Sequence, residues 1–173
     1  SKRHIFDRET IRLGYDVLAT GHNLDDEAAV LLGNTIRWDV EYLTRQYPVL
    51  EAGHGFPRKV KPLIRLTERE MAAWCVVRGI DYVVEECPMA IGNRHSGYKE
   101  TLNQLDERSP GTKASFYLGF LDRMVPVLRT GPDRQGAPES CPTCGAPSSS
   151  SDTACSFCRL EATASTHEPV PVR

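Results

Sequence analysis

Apolar and polar positions follow one another in blocks that predict short strands between amphipathic helices. Residues 4–13 have loosely helical apolar spacing, which Gly14 ends. The apolar run of residues 15–20 (YDVLAT) predicts a buried strand. Residues 25–36 predict a helix whose first turn holds acids, where the helix dipole favours them. Residues 38–47 are predicted to continue helically and to stop at Pro48.

The middle of the chain contains a second strand and three further helices. Residues 50–57 hold several Gly and Pro breakers and predict a loop, and the following RKVKPLI is short and extended. Thr67 and Glu70 form a T-x-x-E capping box, so a helix is expected to begin there and to end at Gly79. The second strand is expected over residues 80–86 (IDYVVEE) and helices over residues 94–108 and 113–124.

Strands that alternate with helices favour an α/β fold with a mostly parallel sheet. Only two strands are convincing, which is few for a sheet that stands alone. The composition changes near Arg129, where residues 129–140 predict a linker. We expect one domain over residues 1–128, a small cysteine-rich unit over 141–160 and a disordered polar tail over 161–173.

Composition restricts the function classes. The 173 residues are 40% hydrophobic and carry a net charge of −2, so a core is feasible and the chain is not a strongly basic nucleic-acid binder. No apolar run reaches the roughly 20 residues that span a membrane, and no signal peptide is recognisable. Because the first residue is not Met, we expect the chain to be a fragment.

Four of the six cysteines follow the pattern C-x2-C-x10-C-x2-C and predict a metal site. They are Cys141, Cys144, Cys155 and Cys158. Four thiolates surround Zn²⁺ tetrahedrally, and each C-x-x-C turn supplies two of them. Two redox or disulfide pairs and an iron–sulfur site are the alternatives. Cys75 is interpreted as a core residue, and Cys87, from the residues alone, as a buried free cysteine.

A second candidate site lies where the first strand meets its helix. In open α/β sheets, ligands bind at the carboxyl ends of strands, which here means Gly21 and His22. Gly21 allows a close approach of a ligand, and Asp25 or Asp26 has the carboxylate that Mg²⁺ prefers. The alternative is that these acids only cap the helix.

Basic residues follow the loop in a short segment: Arg58, Lys59, Lys61 and Arg65. Such residues can contact nucleic-acid phosphates, although by charge alone a solvated face is the simpler interpretation. A second set of residues follows Cys87 and is a weaker candidate for contact with RNA or with a metal cluster: Asn93, Arg94, His95, Tyr98 and Lys99.

Three segments, ATGHNLDDEAAVLLGN, the run from VKPLIRL to ECPMA, and SPGTKASFYLGFL, occur in an order that resembles one enzyme family. Together they resemble the tRNA 2-thiouridine synthetases of the TtuA type in the PP-loop ATP-pyrophosphatase superfamily. The resemblance covers residues 1–128 and extends to the cysteine-rich unit. It implies a partial PP-loop (adenine nucleotide alpha hydrolase-like) parallel-sheet domain with a C-terminal zinc ribbon.

The resemblance also implies a chemistry. ATP, with Mg²⁺, adenylates the C2 oxygen of a tRNA uridine, and sulfur from a ubiquitin-like sulfur-carrier protein then displaces AMP. Many members hold a 4Fe-4S cluster on three cysteines, and many are homodimers. The setting implied is cytoplasmic, with no membrane partner. The position of the modified uridine, 34 or 54, stays open.

By this resemblance, individual residues receive roles. Asp26 matches the essential acid, and Lys2 matches a lysine that stabilises charge on phosphate or on the activated uridine. Gly21, His22 and Asp25 belong to the ATP-binding corner. Cys87 matches the third cluster cysteine, and the four C-terminal cysteines match the zinc site.

The chain departs from the family in its first part. The S-G-G-x-D-S pyrophosphate loop, the first C-x-x-C pair and the N-terminal zinc domain are absent from the sequence. We therefore expect this polypeptide alone to be inactive and unable to assemble the cluster. The alternatives are a non-catalytic zinc-ribbon adaptor that binds RNA or protein, and another tRNA-directed PP-loop enzyme that forms 2-thiocytidine.

Overall fold

The structure, a computed structural model, describes residues 2–83, 94–130, 139–148 and 153–165. It is a mixed α/β arrangement. The helices are α1 (Lys2–Arg12), α2 (Leu24–Ile36), α3 (Val40–Arg45), α4 (Glu68–Arg78), α5 (Arg94–Arg108), α6 (Thr112–Gly119), α7 (Val125–Arg129) and α8 (Ser156–Ser165). The strands are β1 (Val17–Ala19), β2 (Val49–Leu50), β3 (Arg58–Val60), β4 (Glu139–Ser140) and β5 (Pro147–Ser148).

A small sheet has the strand order β1–β3–β2. Beside these strands, the Thr20 N–H donates to the Val60 carbonyl and the Lys61 N–H to the Pro48 carbonyl, both at 2.9 Å. The strand predicted at residues 15–20 is confirmed over Val17–Ala19, directly before α2. Its predicted burial is wrong, because Val17 and Ala19 are exposed and Leu18 is only half-buried. The turn between β1 and α2 therefore contains the predicted site.

Local signals set most helix ends. The capping box at Thr67 is present, and α4 ends at Gly79, whose φ of 62° is a left-handed value that glycine adopts without strain. The expected continuation of α2 is wrong. Trp38 has a φ of 53°, and Asp39 starts the separate helix α3 by accepting from the Tyr42 N–H.

Four other expectations are corrected or lie partly outside the described residues. Residues 80–83 are in no strand, and the rest of the predicted second strand is outside the described ranges. The predicted helix at 113–124 extends further, because a π-helical segment (Phe120–Met124) joins α6 to α7. Within the predicted linker, Arg129 ends α7, and residues 131–138 are not described. The tail predicted to be disordered from residue 161 is helical through Ser165.

The chain divides into two compact units. One unit comprises residues 1–18, 51–59 and 133–173, and the other comprises residues 19–50 and 60–132. In the first, the rings of His4 and Phe157 stack with centroids 4.2 Å apart. The Lys59 ammonium in the same unit lies over the Phe56 ring, 5.2 Å from its centroid.

The second unit contains the principal apolar core of the described residues. Helix α2 packs against α5 and α6 there. The buried cluster consists of Leu24, Ala28, Leu31, Leu43, Ile64, Leu102, Tyr117, Phe120 and Val125. Because α2 starts at the predicted corner, this core fixes the position of the corner's acids.

Among the described residues, every helix is too short or too polar to cross a bilayer.

Candidate active-site corner and metal centre

In the turn after β1, the backbone is exposed at Gly21 and the histidine side chain is held by a hydrogen bond. Gly21 is exposed, and a Cβ placed on it would meet no atom within 4 Å. His22 is half-buried, and its Nδ1 lies 2.9 Å from the Thr20 hydroxyl. This bond restricts the rotation of the imidazole and leaves Nε2 as its other polar atom.

Helix α2 begins with a capping box. The Asp26 N–H donates to the Asn23 side-chain oxygen at 2.9 Å, and Asp26 Oδ2 accepts from the Asn23 N–H at 3.2 Å. Asn23 is itself only 4% exposed. The start of the helix, and with it the direction in which the two acids project, is fixed by local hydrogen bonds.

Asp25 is buried and bonded within the protein. One oxygen accepts the backbone N–H of Glu68 at 2.7 Å, and the other pairs with the Lys113 ammonium. Lys113 also donates to the side chain of Asn103. The side chains of Asp25 and Lys113 are 4% and 5% exposed. Asp25 thus ties the start of α2 to the starts of α4 and α6.

Asp26 lies nearer to solvent. Its Oδ1 is 2.7 Å from the ammonium of Lys99 on α5, and the two side chains are 29% and 26% exposed. Lys99 also pairs with the Glu68 carboxylate. Burial alone lowers the pKa of Lys99, but the hydrogen bonds that its ammonium donates to Asp26 and Glu68 outweigh burial and raise this pKa.

A third acid of α2 is buried behind this pair. Both oxygens of Glu27 lie 2.8 Å from the Lys61 ammonium, and Oε2 accepts from the Tyr117 hydroxyl at 3.2 Å. Burial, together with the Glu27 charge, strongly raises the pKa of Tyr117. The Gln46 amide donates to the Glu27 carbonyl at 2.7 Å.

Most charged side chains of the basic segment, which was predicted to contact RNA, form ion pairs with acids of the same chain. Lys59 pairs with Asp7 at 2.8 Å, Lys61 pairs with buried Glu27, and Arg58 pairs with exposed Glu51 at 3.2 Å. Arg65 is exposed, and no ion pair involves it in the described part of the chain. Arg65 is therefore the member of this set whose charge is most available to a ligand.

The other predicted site residues belong to the other compact unit or lie outside the described residues. Lys2 is exposed at the first position of α1. It belongs to the first compact unit, whereas Asp26 belongs to the second. Cys87 lies outside the described residues.

The four C-terminal cysteines converge. Their sulfur atoms all lie within 4.8 Å of one another, and the Sγ atoms of Cys144 and Cys155 are 3.8 Å apart. Tetrahedral Zn–S bonds place neighbouring sulfurs about 3.8 Å apart, so this donor set fits a zinc ion. Strands β4 and β5 pair across the first knuckle, and Gly145 closes its turn with a φ of 69°.

The thiols differ in acidity before a metal binds. The backbone N–H of Cys155, 3.2 Å from Cys141 Sγ, lowers the pKa of Cys141 to about 6. Burial raises the pKa of Cys158 to about 12 and also raises that of Cys144. Because a metal binds thiolates, its binding would displace protons from Cys144 and Cys158, whose pKa values are raised.

Two residues of the corner were not assigned to it from the sequence. Lys99 was expected near the RNA or the cluster, and Lys113 was noted only within SPGTK. Neither has a local sequence signal, since each partner acid lies far away in the chain. The sequence offered only a general indication of these lysines, because a buried carboxylate at a helix start requires a cation from elsewhere in the chain.

No protein-family model matches the chain. Among curated proteins, the tRNA-5-methyluridine(54) 2-sulfurtransferase of Thermus thermophilus is 44% identical over 160 residues, which are 92% of this chain and 49% of that protein. The enzyme of the same name from Pyrococcus horikoshii is 41% identical over 160 residues, 92% of the chain and 50% of the protein. The chain thus spans about half the length of these relatives.

A solved structure is similar as well. The U34-tRNA thiolase NcsA from Methanococcus maripaludis, determined with its 4Fe-4S cluster, aligns with a TM-score of 0.64 and 28% identity. The alignment covers 76% of this chain and 42% of that protein. Sequence and fold therefore agree on the same group of relatives.

Proposed function

Because the chain is homologous to tRNA-5-methyluridine(54) 2-sulfurtransferases over about half of their length, we propose that it is part of a tRNA-thiolating enzyme. The proposed reaction uses ATP to adenylate the C2 oxygen of a tRNA uridine, which sulfur then replaces. The observation that carries this proposal is the 44% identity spread over 92% of the chain.

Within this proposal the corner after β1 is one side of the active site. Asp26 is the proposed catalytic acid, since its carboxylate is partly exposed and held at a fixed helix start. Gly21 offers exposed backbone to the nucleotide, and His22 offers a ring nitrogen. For Asp25, whose oxygens are bonded to Lys113 and to the Glu68 N–H, the proposed contribution is to hold this corner.

The cofactors and partners that we propose are those implied by the family that the sequence resembles. We assign Zn²⁺ to the four-cysteine centre, where it would be structural because four thiolates leave no open position. The proposed whole enzyme binds ATP with Mg²⁺ and holds a 4Fe-4S cluster that includes Cys87. Lys2 contributes to its active site. Its substrate is tRNA, and a ubiquitin-like carrier protein delivers the sulfur. A homodimer and a cytoplasmic location complete the proposal. Arg65 is the preferred phosphate contact of the basic segment.

The test replaces Asp26 by Asn in the natural gene of the source organism. Total tRNA is digested, and 2-thiouridine nucleosides are quantified by mass spectrometry, with fragment mapping to separate position 34 from position 54. Asp16→Asn is the matched control, because Asp16 is an exposed acid before β1. We expect the thionucleoside to be lost in Asp26→Asn and retained in the control.

Unchanged thionucleosides in both the Asp26→Asn strain and a deletion strain would overturn the proposal. In that case binding of the purified protein to RNA or protein would be measured, because a zinc-ribbon adaptor would become the leading alternative.

A further inference from the structure

The two acids of the corner receive their cations from different helices. Asp25 pairs with Lys113 of α6, and Asp26 pairs with Lys99 of α5. The first pair is almost fully buried, whereas about a quarter of the Lys99 side chain is exposed. Neighbouring residues in the chain are thus held by two independent contacts, one in the core and one near solvent.

Asp26 is restrained at both carboxylate oxygens. Oδ2 accepts from the Asn23 N–H at 3.2 Å, and Oδ1 lies 2.7 Å from the Lys99 ammonium. A carboxylate has about four lone-pair sites, so these contacts orient the group and leave acceptor capacity for a reactant or a cation. The capping box alone would restrain only one oxygen.

Lys99 is itself fixed from a second side. Its ammonium also binds the Glu68 carboxylate at the start of α4, and the backbone N–H of Glu68 binds Asp25. An ammonium has three N–H donors, and these two acids use two of them. The position of the Lys99 charge therefore depends on the same helix starts that form the corner.

We propose that Lys99 is a positioning residue that holds the Asp26 carboxylate in its reactive orientation. This inference rests on the proposed function, in which Asp26 takes part in the reaction. Lys99 acts through Asp26 and has no separate contact with the substrate. Lys113 differs in kind, because its burial makes its role structural.

The test measures tRNA thiolation with the full-length protein purified anaerobically from the natural gene. The variants are Lys99→Met, Lys99→Arg, Glu68→Gln, Asp26→Asn and the double variant Lys99→Met/Asp26→Asn. Methionine keeps the length of the stem without the charge, and arginine keeps a cation that can reach both acids. Thermal unfolding and the Kd for tRNA are measured for each protein.

We expect Lys99→Met to lower kcat about 10- to 100-fold, as the loss of an orienting partner does, with KM for ATP and Kd for tRNA within about twofold of the wild type. Lys99→Arg should restore most of kcat. Glu68→Gln should lower kcat by less than Lys99→Met does, because Asp26 keeps its lysine while Lys99 loses its second carboxylate partner. On the residual single-turnover rate of the Asp26→Asn protein, Lys99→Met should cause no further loss, since both changes remove the same interaction.

Two results would overturn the inference while leaving the proposed function intact. In one, Asp26→Asn abolishes thiolation and Lys99→Met has the activity of the wild type. In the other, the two losses multiply in the double variant and KM for ATP rises in Lys99→Met, which would make Lys99 a direct ligand contact. If Asp26→Asn is itself fully active, the proposed role of Asp26 is wrong, and the inference about Lys99 is overturned with it.

Discussion

Asp25 and Asp26 follow each other in the chain, yet their carboxylates lie in different surroundings. Asp25 is 3% exposed and bonded on both oxygens, whereas the Asp26 side chain is 29% exposed. Burying a carboxylate is costly unless it is paired and hydrogen-bonded, so Asp25 is committed to the fold. The Asp26 carboxylate, which is more exposed, keeps acceptor capacity for a ligand.

Replacing Asp25 by Asn should strongly destabilise the protein. The variant keeps the size of the side chain but leaves the Lys113 ammonium buried without a counter-charge. Breaking a buried pair in this way costs about 3–5 kcal/mol. Urea unfolding followed by circular dichroism measures the change, with Asp16→Asn as an exposed control. A loss below about 0.5 kcal/mol, the usual range of surface substitutions, would contradict this role.

Tyr117 should make stability fall at alkaline pH. Its hydroxyl is buried against Glu27, and its folded-state pKa is raised above the ordinary value of 10.0. Above that pH the unfolded chain loses the phenolic proton while the folded chain keeps it, so the free energy of unfolding falls as pH rises. This group contributes up to about 1.4 kcal/mol per pH unit.

The matched variant is Tyr117→Phe, which keeps the buried ring. At neutral pH it should be less stable by roughly 1–3 kcal/mol, because the bond to the Glu27 carboxylate is lost. Between pH 10 and 11 its stability should decline less steeply than that of the wild type. Parallel profiles from urea unfolding would show that Tyr117 does not titrate in this way.

At the scale of elements, helix α2 combines the site with the core. Its first turn carries the acids and its capping box, and its later turns pack against α5 and α6. Where α2 crosses α5, Gly33 faces the ring of Tyr98. The distance between these helices, and so the placement of Lys99 beside Asp26, depends on the small size of residue 33.

Gly33→Ala tests this contact. A Cβ at residue 33 would lie 2.8 Å from Tyr98 Cε2 and 3.2 Å from Cδ2, which forces the ring or the helix to move. Overpacking of this kind costs about 1–3 kcal/mol and should exceed the gain in helix propensity of about 1 kcal/mol. We expect a lower Tm and lower thiolation activity.

The control for this variant is Gly97→Ala, one residue before Tyr98 on α5. A Cβ there meets no atom within 4 Å, so only the propensity gain remains and Tm should rise or stay constant. If Tm also rises for Gly33→Ala, the contact between α2 and α5 accommodates an added methyl group, and the prediction is wrong.

At the scale of the whole molecule, the two compact units rely on different means of stabilisation. The unit with α2 buries an apolar cluster together with paired charges. The unit with α1 and α8 contains four convergent thiols. A segment so rich in Ser, Gly and Pro buries little apolar surface, so metal binding is expected to supply its folding free energy.

Metal removal should therefore unfold the cysteine-rich segment. We expect about one zinc per chain, and chelation should reduce the hydrogen-exchange protection of β4, β5 and α8. Cys144→Ser should lose the metal, and cobalt substitution should give the absorption of a tetrahedral thiolate site in the wild type. Cys75→Ser is the control, because Cys75 lies on α4 outside the four-cysteine set. Full protection without metal would contradict the structural role.

The sequence by itself determined the features that are local or that repeat a known pattern. The cap at Thr67, the helix end at Gly79 and the start of α2 follow from hydrogen bonds within a few residues. The spacing of the four cysteines indicates convergence in the same way, because each C-x-x-C turn supplies two ligands. The family resemblance, confirmed by the relatives, came from three ordered motifs.

Only the tertiary structure decided which acid of the pair is buried. Asp25 meets Lys113, 88 residues away, and the pairing depends on how α2 packs against α6. It also showed that Lys59 and Lys61 are paired with Asp7 and Glu27 inside the chain. Charge in a sequence does not reveal its partner, because the partner is chosen by packing over long distances along the chain, and packing alone determines which charges remain for a ligand.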